Sequence, residues 1–337
     1  MSELHVVFGT GPLGKWTARE LARLGRQVRM INRSGKADRL PESIEVVASD
    51  AYDVTKNIAV TQGASAIYQC AQPHYYEWTQ KFQPLQKAIL EAAIANGAKL
   101  VVGDNLYMYG SPHGEILRED SRIQLNSKKG QVRAEMARAV MEAHEKGKVR
   151  AAIGRASDFF GPEDHDLTGF AILPALKNKP VNLIGNIHQP HTFTYIADFG
   201  KLLATLGTRD EALGQVWFAP SNAPLTQAEF MKLIETELGQ SIKARVGGPL
   251  MLRFLGLFNR EINETVEMIF EWMEPYVIDS SKAQNTFGLQ PTPMKEAIKT
   301  TLEWGREVLS VGNQFRGAEK WQKSSTVVTQ PKQTDPS

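Results

Sequence analysis

The sequence predicts an α/β protein built on a doubly wound parallel sheet. Apolar runs of strand length alternate with amphipathic helical patterns through the first half of the chain, as in a parallel sheet with crossover helices. The first run, Val6 to Phe8, ends in a glycine-spaced turn that leads directly into a helical pattern. After Pro162 the alternation stops, and it resumes at about residue 192.

Bulk composition excludes several classes of protein. The chain has 337 residues, enough for one large or two modest domains, and its net charge of +2 gives no reason to expect a nucleic acid or a membrane as partner. Its single cysteine, Cys70, excludes an intramolecular disulfide and fits a reducing compartment. No leader pattern opens the sequence, and the apolar stretch from 249 to 258 is too short to span a bilayer. We therefore expect a cytoplasmic protein.

The turn after the first strand has the spacing of a dinucleotide-binding fingerprint. Gly9 permits a tight turn, Gly11 lets the backbone approach a pyrophosphate, and Gly14 lets the following helix pack close to the strand. The helix start offers free N–H groups to phosphates, and a proline in the first turn removes no hydrogen bond. The pattern therefore predicts a Rossmann-type domain in which the cofactor contacts Gly9, Thr10, Gly11, Pro12, Leu13 and Gly14.

The end of the second strand indicates which cofactor is bound. An NAD-binding unit carries an acidic residue here for the ribose 2′-hydroxyl, but this chain has Asn32, Arg33 and Ser34. A guanidinium can hold a 2′-phosphate that a carboxylate would repel. We therefore predict that NADP(H) is preferred over NAD(H) and that these three residues contact it. The alternative is that Arg33 is an ordinary surface arginine beside a turn.

Two further cofactor contacts are predicted at the ends of the next strands. Asp50 follows the third strand and could accept a hydrogen bond from the adenine amino group, although a solvated loop aspartate is nearly as good an interpretation. Ala71 ends the fourth strand. The predicted elements of this region are strands over 28–31, 44–48, 64–71 and 99–102 and a helix over 84–96.

The later elements follow from the same periodicities. Thr226 with Glu229 three residues on predicts a capping box at a helix start. Beyond about residue 317 the chain is polar without periodicity, which predicts a disordered tail over 317–337. Helices are predicted over 128–146, 167–176, 198–206, 250–272 and 294–309, and strands over 149–153, 181–184, 192–196 and 216–219.

Four segments in the same order resemble the extended branch of the short-chain dehydrogenase/reductase superfamily, which contains the nucleotide-sugar epimerases and dehydratases. Met108-Tyr109-Gly110 is similar to its Val-Tyr-Gly, and 154–162 to its Arg-x-x-Asn-x-Tyr-Gly-Pro. The segments 191–198 and 275–293 are similar to its Arg-Asp-Phe-Ile-His-Val-Asp-Asp and to its closing segment.

The resemblance implies how the chain is divided. A dinucleotide-binding domain over 1–165, with 191–222 returning to it, would be joined by a smaller C-terminal substrate domain over 166–190 and 223–312. The site for a small-molecule substrate would lie in the cleft between them. Family members are often dimers through the helices expected at 84–96 and 128–146, so the resemblance offers a homodimer as one option and leaves the oligomeric state open.

The chain departs from the family at every catalytic position. The resemblance implies a serine or threonine at position 105, a tyrosine at 129 and a lysine at 133, where this chain has Asn105, Lys129 and Arg133. Asn105 can still hydrogen bond to a substrate oxygen, Lys129 could act as acid or base, and Arg133 can hold ribose or phosphate but cannot release a proton. Tyr107 is an alternative source of a phenol. The chain thus resembles atypical members that lack Tyr-x-x-x-Lys.

Histidines offer weaker signals. His188 and His191 lack a third ligand, so no metal site is predicted. His74, with Tyr75, Tyr76 and Trp78 close behind it, could line an aromatic substrate pocket or simply pack together.

Two functions remain open from the sequence. The first is an NADP(H)-dependent oxidoreductase or epimerase-like enzyme with a remodelled active site. The second is a non-catalytic NADP(H)-binding sensor or regulator, which the replaced catalytic positions favour. The complete substrate domain that the resemblance implies favours the enzyme, and we take the enzyme as the preferred interpretation.

Overall fold

A seven-stranded parallel sheet forms the centre of the computed structural model, which describes residues 3–258 and 260–310. Its strand order is β3-β2-β1-β4-β5-β6-β10, and the direction of winding reverses between β1 and β4. Two small parallel pairs, β8 with β11 and β7 with β9, lie outside it. The strands are β1 (Leu4–Phe8), β2 (Gln27–Asn32), β3 (Ile44–Ala48), β4 (Ala64–Gln69), β5 (Lys99–Asp104), β6 (Arg150–Arg155), β7 (Phe159–Phe160), β8 (Val181–Ile184), β9 (Thr194–Tyr195), β10 (Val216–Phe218) and β11 (Ala244–Gly247).

Eleven α-helices are present in the described part of the chain, joined in places by short 3₁₀ turns. The helices are α1 (Pro12–Arg23), α2 (Val54–Val60), α3 (Trp78–Asn96), α4 (Lys128–Glu145), α5 (Leu173–Leu176), α6 (Ile196–Thr208), α7 (Gln227–Leu238), α8 (Pro249–Gly256), α9 (Arg260–Thr265), α10 (Ser281–Phe287) and α11 (Met294–Ser310).

Helices cover both faces of the large sheet. Side chains of α3 and α4 bury one face, and side chains of α1 and α6 bury the other. The helices α1 and α6 approach closely, since a methyl group at Gly200 would lie 2.8 Å from Cβ of Trp16. These two layers confirm the doubly wound α/β architecture and place the glycine turn at the end of β1, beside the point where the winding reverses.

A separate core lies among α5, α7, α11 and the strands β8 and β9. Phe160, Phe193 and Phe230 meet ring to ring within it, and Ile298 and Leu302 of α11 pack beside them. The predicted division into two domains, with its bounds, stays a prediction. Residue 216 does return to the large sheet, because β10 pairs with β6.

Most predicted elements are confirmed, with bounds shifted by one or two residues. The helix predicted to begin at Pro84 is wrong in its start, because α3 begins six residues earlier at Trp78. Trp78 and Phe82 are buried in the sheet core, so tertiary packing extends the helix upstream and Pro84 lies inside it. The helix α2 was not predicted, although Asp53 caps it by accepting from the backbone N–H of Lys56.

The continuous helix predicted over 250–272 is also wrong. The chain forms α8, then α9, then a 3₁₀ segment over Val266–Trp272. At the break, a methyl group at Gly256 would lie 3.0 Å from Cα of Asn263, so the two helices cross closely there. Elsewhere the capping box of Thr226 and Glu229 is confirmed. The predicted tail at 317–337, and residues 311–312, lie outside the described residues.

Within the described ranges, no helix combines the length and apolar character needed to cross a membrane.

A buried histidine links the first strand to the fourth. His5 Nδ1 lies 2.8 Å from the Tyr68 hydroxyl, and both side chains are buried. Burial, reinforced by the positive charge of Arg26, lowers the pKa of His5 from 6.5 to about 4. The folded protein therefore holds this imidazole neutral, whereas the unfolded chain protonates it near pH 6.5.

Because the folded pKa lies below the unfolded one, stability contributed by His5 is fully present above pH 6.5 and falls as the pH drops towards about 4. We expect His5→Gln to flatten this loss, by up to about 3 kcal/mol at the acid end. Urea unfolding at pH 4 to 7 measures it, and His188→Gln, at an exposed histidine, is the control. Equal pH dependence in wild type and His5→Gln would contradict the assignment.

Candidate active site

Close packing against neighbouring backbone fixes the glycine turn at two of its three glycines. Gly9 has a φ of +104°, and a methyl group there would lie 2.8 Å from the backbone nitrogen of Ala71. A methyl group at Gly14 would overlap the carbonyl oxygen of Gly9. Gly11 is different, because no protein atom lies within 4 Å of where its Cβ would project. The turn is closed on the protein side and open at Gly11, as a pyrophosphate site requires.

The start of α1 is free to receive an anion. Gly11 is the N-cap residue, no side chain caps the helix, and Pro12 occupies the first turn. Leu13 turns its side chain into the core, within 3.0 Å of a Cβ position at Gly103, so its backbone is what it can offer to a ligand. These features fit the phosphates of a dinucleotide.

Asn32 organises the loop after β2. Its Nδ2 donates to Thr10 Oγ1 at 2.8 Å and to the carbonyl oxygen of Lys36 at 2.7 Å. Its Oδ1 accepts from the backbone N–H of Ser34 at 3.1 Å. The side chain of Asn32 thus ties this loop to the glycine turn. Arg33 is exposed on the loop, and no hydrogen bond within the described chain holds its guanidinium.

The other predicted cofactor residues lie at the same edge of the sheet. Asp50 is exposed after β3, where its Oδ1 accepts from the backbone N–H of Tyr52 at 3.2 Å. Ala71 follows β4 and forms the backbone wall against Gly9. The structure therefore brings the predicted cofactor residues to the carboxyl ends of β1 to β4, and their contacts with a cofactor stay a prediction.

The residues predicted for catalysis gather where β5 meets the start of α4. Asn105 is half-buried directly after β5, and its Oδ1 accepts from the backbone N–H of Tyr107 at 3.3 Å. The Tyr107 hydroxyl lies 3.4 Å from that of Tyr75. Burial raises the pKa of Tyr107 well above its ordinary value, with further contributions from Tyr75 and from the carboxylates of Glu271 and Asp158. This phenol is a weak proton donor at neutral pH.

Lys129, at the position of the family's tyrosine, is buried rather than solvated. Its Nζ contacts the carboxylate of Glu264 and lies 2.9 Å from Glu267 Oε1. It also lies 4.4 Å from the ring centroid of Tyr75. Glu267 accepts in addition from the backbone N–H of Lys128 at 3.0 Å. A segment some 135 residues away in sequence therefore covers the start of α4.

Arg133, at the position of the family's lysine, is held by a buried carboxylate. Its Nη1 lies 3.3 Å from Asp104 Oδ1, and its guanidinium carbon is 4.3 Å from the ring centroids of both Trp78 and Phe82. Asp104 Oδ2 also accepts from Arg155 Nε at 2.9 Å. The predicted role of Arg133 in holding a ribose or phosphate stays a prediction, and the observed role is structural.

The aromatic cluster that follows β4 is packed. Tyr75 meets Trp78 edge to face at 5.0 Å, and Trp78 lies 5.9 Å from Tyr107. His74 stacks on Tyr76 at 5.5 Å on the outside. These rings form one wall beside Lys129.

A histidine–carboxylate pair joins the segment after β6 to the segment before β9 and was not predicted as a site. His191 Nε2 lies 2.9 Å from Asp158 Oδ2, and Nδ1 lies 3.2 Å from the carbonyl oxygen of Glu271. His191 is buried and stacked on Trp272 at 4.1 Å, whereas about a third of the Asp158 side chain (32%) is exposed. A sequence signal existed, because Asp158 stands where the family motif has asparagine.

Two hydrogen-bond acceptors face the ring of His191. A carbonyl oxygen can only accept, so a hydrogen bond to Glu271 requires a hydrogen on Nδ1. The Asp158 carboxyl group faces the other ring nitrogen, Nε2, at 2.9 Å. Burial and the charge of Asp158 also raise the pKa of Glu271 well above its ordinary value. Asp158 is therefore a partly exposed carboxyl group in contact with a buried imidazole.

Within the described ranges, no group of three or more His, Cys, Asp or Glu side chains is arranged to hold a metal ion.

Comparisons with known proteins agree with this arrangement. The model of the NAD-dependent epimerase/dehydratase family matches residues 6–217. A 3β-hydroxysteroid dehydrogenase/decarboxylase, isoform 2, from Arabidopsis thaliana is 22% identical over 299 residues, which cover 77% of this chain and 52% of the relative. The chain thus spans about half the length of this curated relative.

Solved structures share the fold at low identity. The UDP-glucuronic acid 4-epimerase of Bacillus cereus, solved with UDP-glucuronic acid and NAD, has a TM-score of 0.73 at 17% identity, covering 90% of this chain and 99% of its own. The dTDP-glucose 4,6-dehydratase of Streptomyces venezuelae, also solved with NAD, has a TM-score of 0.74 at 17% identity, covering 91% and 98%. The chain belongs to the NAD-dependent epimerase/dehydratase family, in the extended class of short-chain dehydrogenases/reductases.

Proposed function

We propose that this protein is an NADP(H)-dependent oxidoreductase or epimerase-like enzyme that acts on a small carbonyl or hydroxyl substrate with remodelled catalytic groups. One observation carries the proposal. Packing within the protein requires glycine at positions 9 and 14, but nothing in the protein requires it at Gly11, where the backbone faces open space at a helix N-terminus. A ligand phosphate explains that glycine.

The choice of NADP(H) rests on the loop after β2. It has no carboxylate at the strand end to bind a ribose 2′-hydroxyl, and Asn32 is fully engaged in holding the loop. Arg33 is exposed beside it with its donors free for a 2′-phosphate. The neighbours solved with NAD support a nicotinamide cofactor in general. When bound, it would supply or accept the hydride of an alcohol–carbonyl interconversion.

Proton transfer then falls to the groups of the cleft. An alcohol that loses a hydride must lose its hydroxyl proton, and a carbonyl that gains one must receive a proton. We assign this transfer to Asp158, because it is partly exposed and its carboxyl group lies 2.9 Å from Nε2 of the buried His191. The amide of Asn105 would orient the substrate oxygen. Lys129 remains the competing candidate, although two carboxylates enclose its ammonium.

A sensor without catalysis is the second candidate. It is favoured by one observation: the residues at the family's tyrosine and lysine positions, Lys129 and Arg133, are both buried in ion pairs. A panel of aldehydes, ketones, quinones and nucleotide sugars, scored by NADPH oxidation, separates the two functions. Turnover of any member supports the enzyme, and tight NADPH binding without turnover supports the sensor.

Gly11→Ala and Gly14→Ala form a matched pair that tests the cofactor site. We expect Gly11→Ala to keep the melting temperature of wild type but to weaken NADPH binding at least tenfold, because the methyl group would intrude on the pyrophosphate. Gly14→Ala should lower the melting temperature, because its methyl group overlaps Gly9. NADPH fluorescence titration and thermal unfolding measure both. Wild-type NADPH affinity in Gly11→Ala would remove the argument for this site.

Arg33→Ala tests the cofactor preference. Loss of a charge-assisted contact to the 2′-phosphate should weaken NADPH binding about 10- to 100-fold and leave NADH binding unchanged. The control is Arg209→Ala, at an arginine just after α6. If wild type binds the two cofactors equally, or if Arg33→Ala retains the preference, the assignment to NADP(H) is wrong.

Asp158→Asn tests the proton-transfer assignment on whichever substrate the panel identifies. Asparagine keeps the shape but cannot exchange a proton, so kcat should fall at least about 100-fold with NADPH affinity unchanged. Lys129→Met is the comparison and should retain more than a tenth of kcat. The reverse pattern, with Asp158→Asn active and Lys129→Met inactive, would transfer the role to Lys129.

A further inference from the structure

An apolar surface lies on α8 and the turn that follows it. Leu250, Phe254, Leu257 and Phe258 are 80, 62, 76 and 80% exposed, and Met251 beside them is 47% exposed. Leu250 and Phe254 are one helical turn apart, and the ring of Phe254 contacts that of Phe258 at 5.6 Å. We call these five residues the α8 face. Scattered exposed apolar residues are ordinary, but a contiguous group of large ones marks an interaction site.

The side of α8 opposite to this face packs against the rest of the protein, and this packing fixes the backbone of the helix. Gly256 packs against Asn263 of α9, and a methyl group at Gly247 would lie 2.7 Å from the Met251 side chain. The α8 face is therefore directed outward while the opposite side of the helix is occupied by α9.

The charged residues of the segment that contains the face, residues 241–260, all have one sign, and the first carboxylates after it are Glu261 and Glu264 of α9. Residues 241–260 contain Lys243, Arg245, Arg253 and Arg260 and neither aspartate nor glutamate. Lys243, Arg245 and Arg253 are exposed. Exposed leucine and phenylalanine beside lysine and arginine, without acidic residues, is the signature of a segment that lies in a membrane interface.

We propose that the α8 face docks the protein onto an anionic lipid bilayer as a peripheral contact, with the apolar side chains inserted at the headgroup boundary and the basic side chains on the lipid headgroups. This departs from the expectation, drawn from the small net charge of the whole chain, that no membrane is a partner. The local charge of the segment determines membrane binding more than the net charge of the chain does, because the electrostatic attraction of a membrane surface extends over only about one Debye length.

Two other occupants fit the charges less well. In a twofold pair of chains the same surface meets itself, so the cations flanking one α8 face would oppose those of the other. The segment 311–337 carries four basic residues, Arg316, Lys320, Lys323 and Lys332, and two acidic ones, Glu319 and Asp335, so it has the same sign of charge as the face. An anionic surface complements the face, and neither of these does.

Vesicle flotation of the full chain tests the proposal. We expect binding to vesicles of phosphatidylcholine with phosphatidylserine, weaker binding to phosphatidylcholine alone, and loss of binding in high salt. Leu257→Ser/Phe258→Ser should reduce binding at least tenfold. Arg245→Ala/Arg253→Ala should remove most of the preference for phosphatidylserine, at about fivefold for each charge. The control is Leu24→Ser/Ile94→Ser, at exposed apolar residues of α1's end and α3, which should bind as wild type does.

NADPH titration and thermal unfolding of each variant confirm that it is folded. The proposal is overturned if wild type does not bind the mixed vesicles, or if Leu257→Ser/Phe258→Ser binds them undiminished. It is also overturned if sedimentation shows a wild-type dimer that this variant dissociates, which would make the α8 face a contact between two copies of the chain.

Discussion

The buried carboxylate of Asp104 is the constraint on which the candidate site depends. It ends β5, is almost fully buried, and binds Arg155 of β6 and Arg133 of α4 together. A buried charge is tolerated only when it is paired, and losing one partner of such a pair costs several kcal/mol. The carboxylate therefore fixes two strands and a helix to one another at the edge of the sheet where the site is built.

The ion cluster of Asp104, Arg133 and Arg155 also positions the side chain of Tyr109 beside it. Arg155 Nη1 also donates to the Tyr109 hydroxyl at 2.6 Å, which donates in turn to the carbonyl oxygen of Glu119. Tyr109 closes the turn that follows Asn105. The start of α4 is also closely packed, because a methyl group at Gly130 would lie within 3 Å of Ser127 Oγ. Structural contacts therefore place Asn105, the turn that contains Tyr109, and the start of α4. The positions of the family's proton-transfer residues are occupied here by Lys129 and Arg133, which are packed in ion pairs.

The fold and the glycine turn could be predicted from the sequence, because the sequence patterns that indicate them are local. Glycine spacing, strand-length apolar runs and the Thr226 capping box each act within a few residues, and all are confirmed. The partners of Lys129 could not be predicted, because Glu264 and Glu267 approach it from 135 and 138 residues away. The pair of Asp158 and His191 likewise joins two segments 33 residues apart. Helix α3 begins at Trp78, before its predicted start at Pro84, because burial of the Trp78 and Phe82 rings outweighs the local preference of proline for a helix start.

The order of elements along the chain has a consequence for how the protein is made. The strand β10 that completes the large sheet, and the helix α6 that covers α1, both come after residue 195. During synthesis the first 190 residues can form six neighbouring strands, but β6 then has an unpaired edge and one face of the sheet has α1 without α6. Exposed edges and uncovered apolar faces favour aggregation and binding by chaperones. Emergence of residues 196–218 from the ribosome is therefore the step at which β6 gains its neighbouring strand and α6 covers the remaining part of that face.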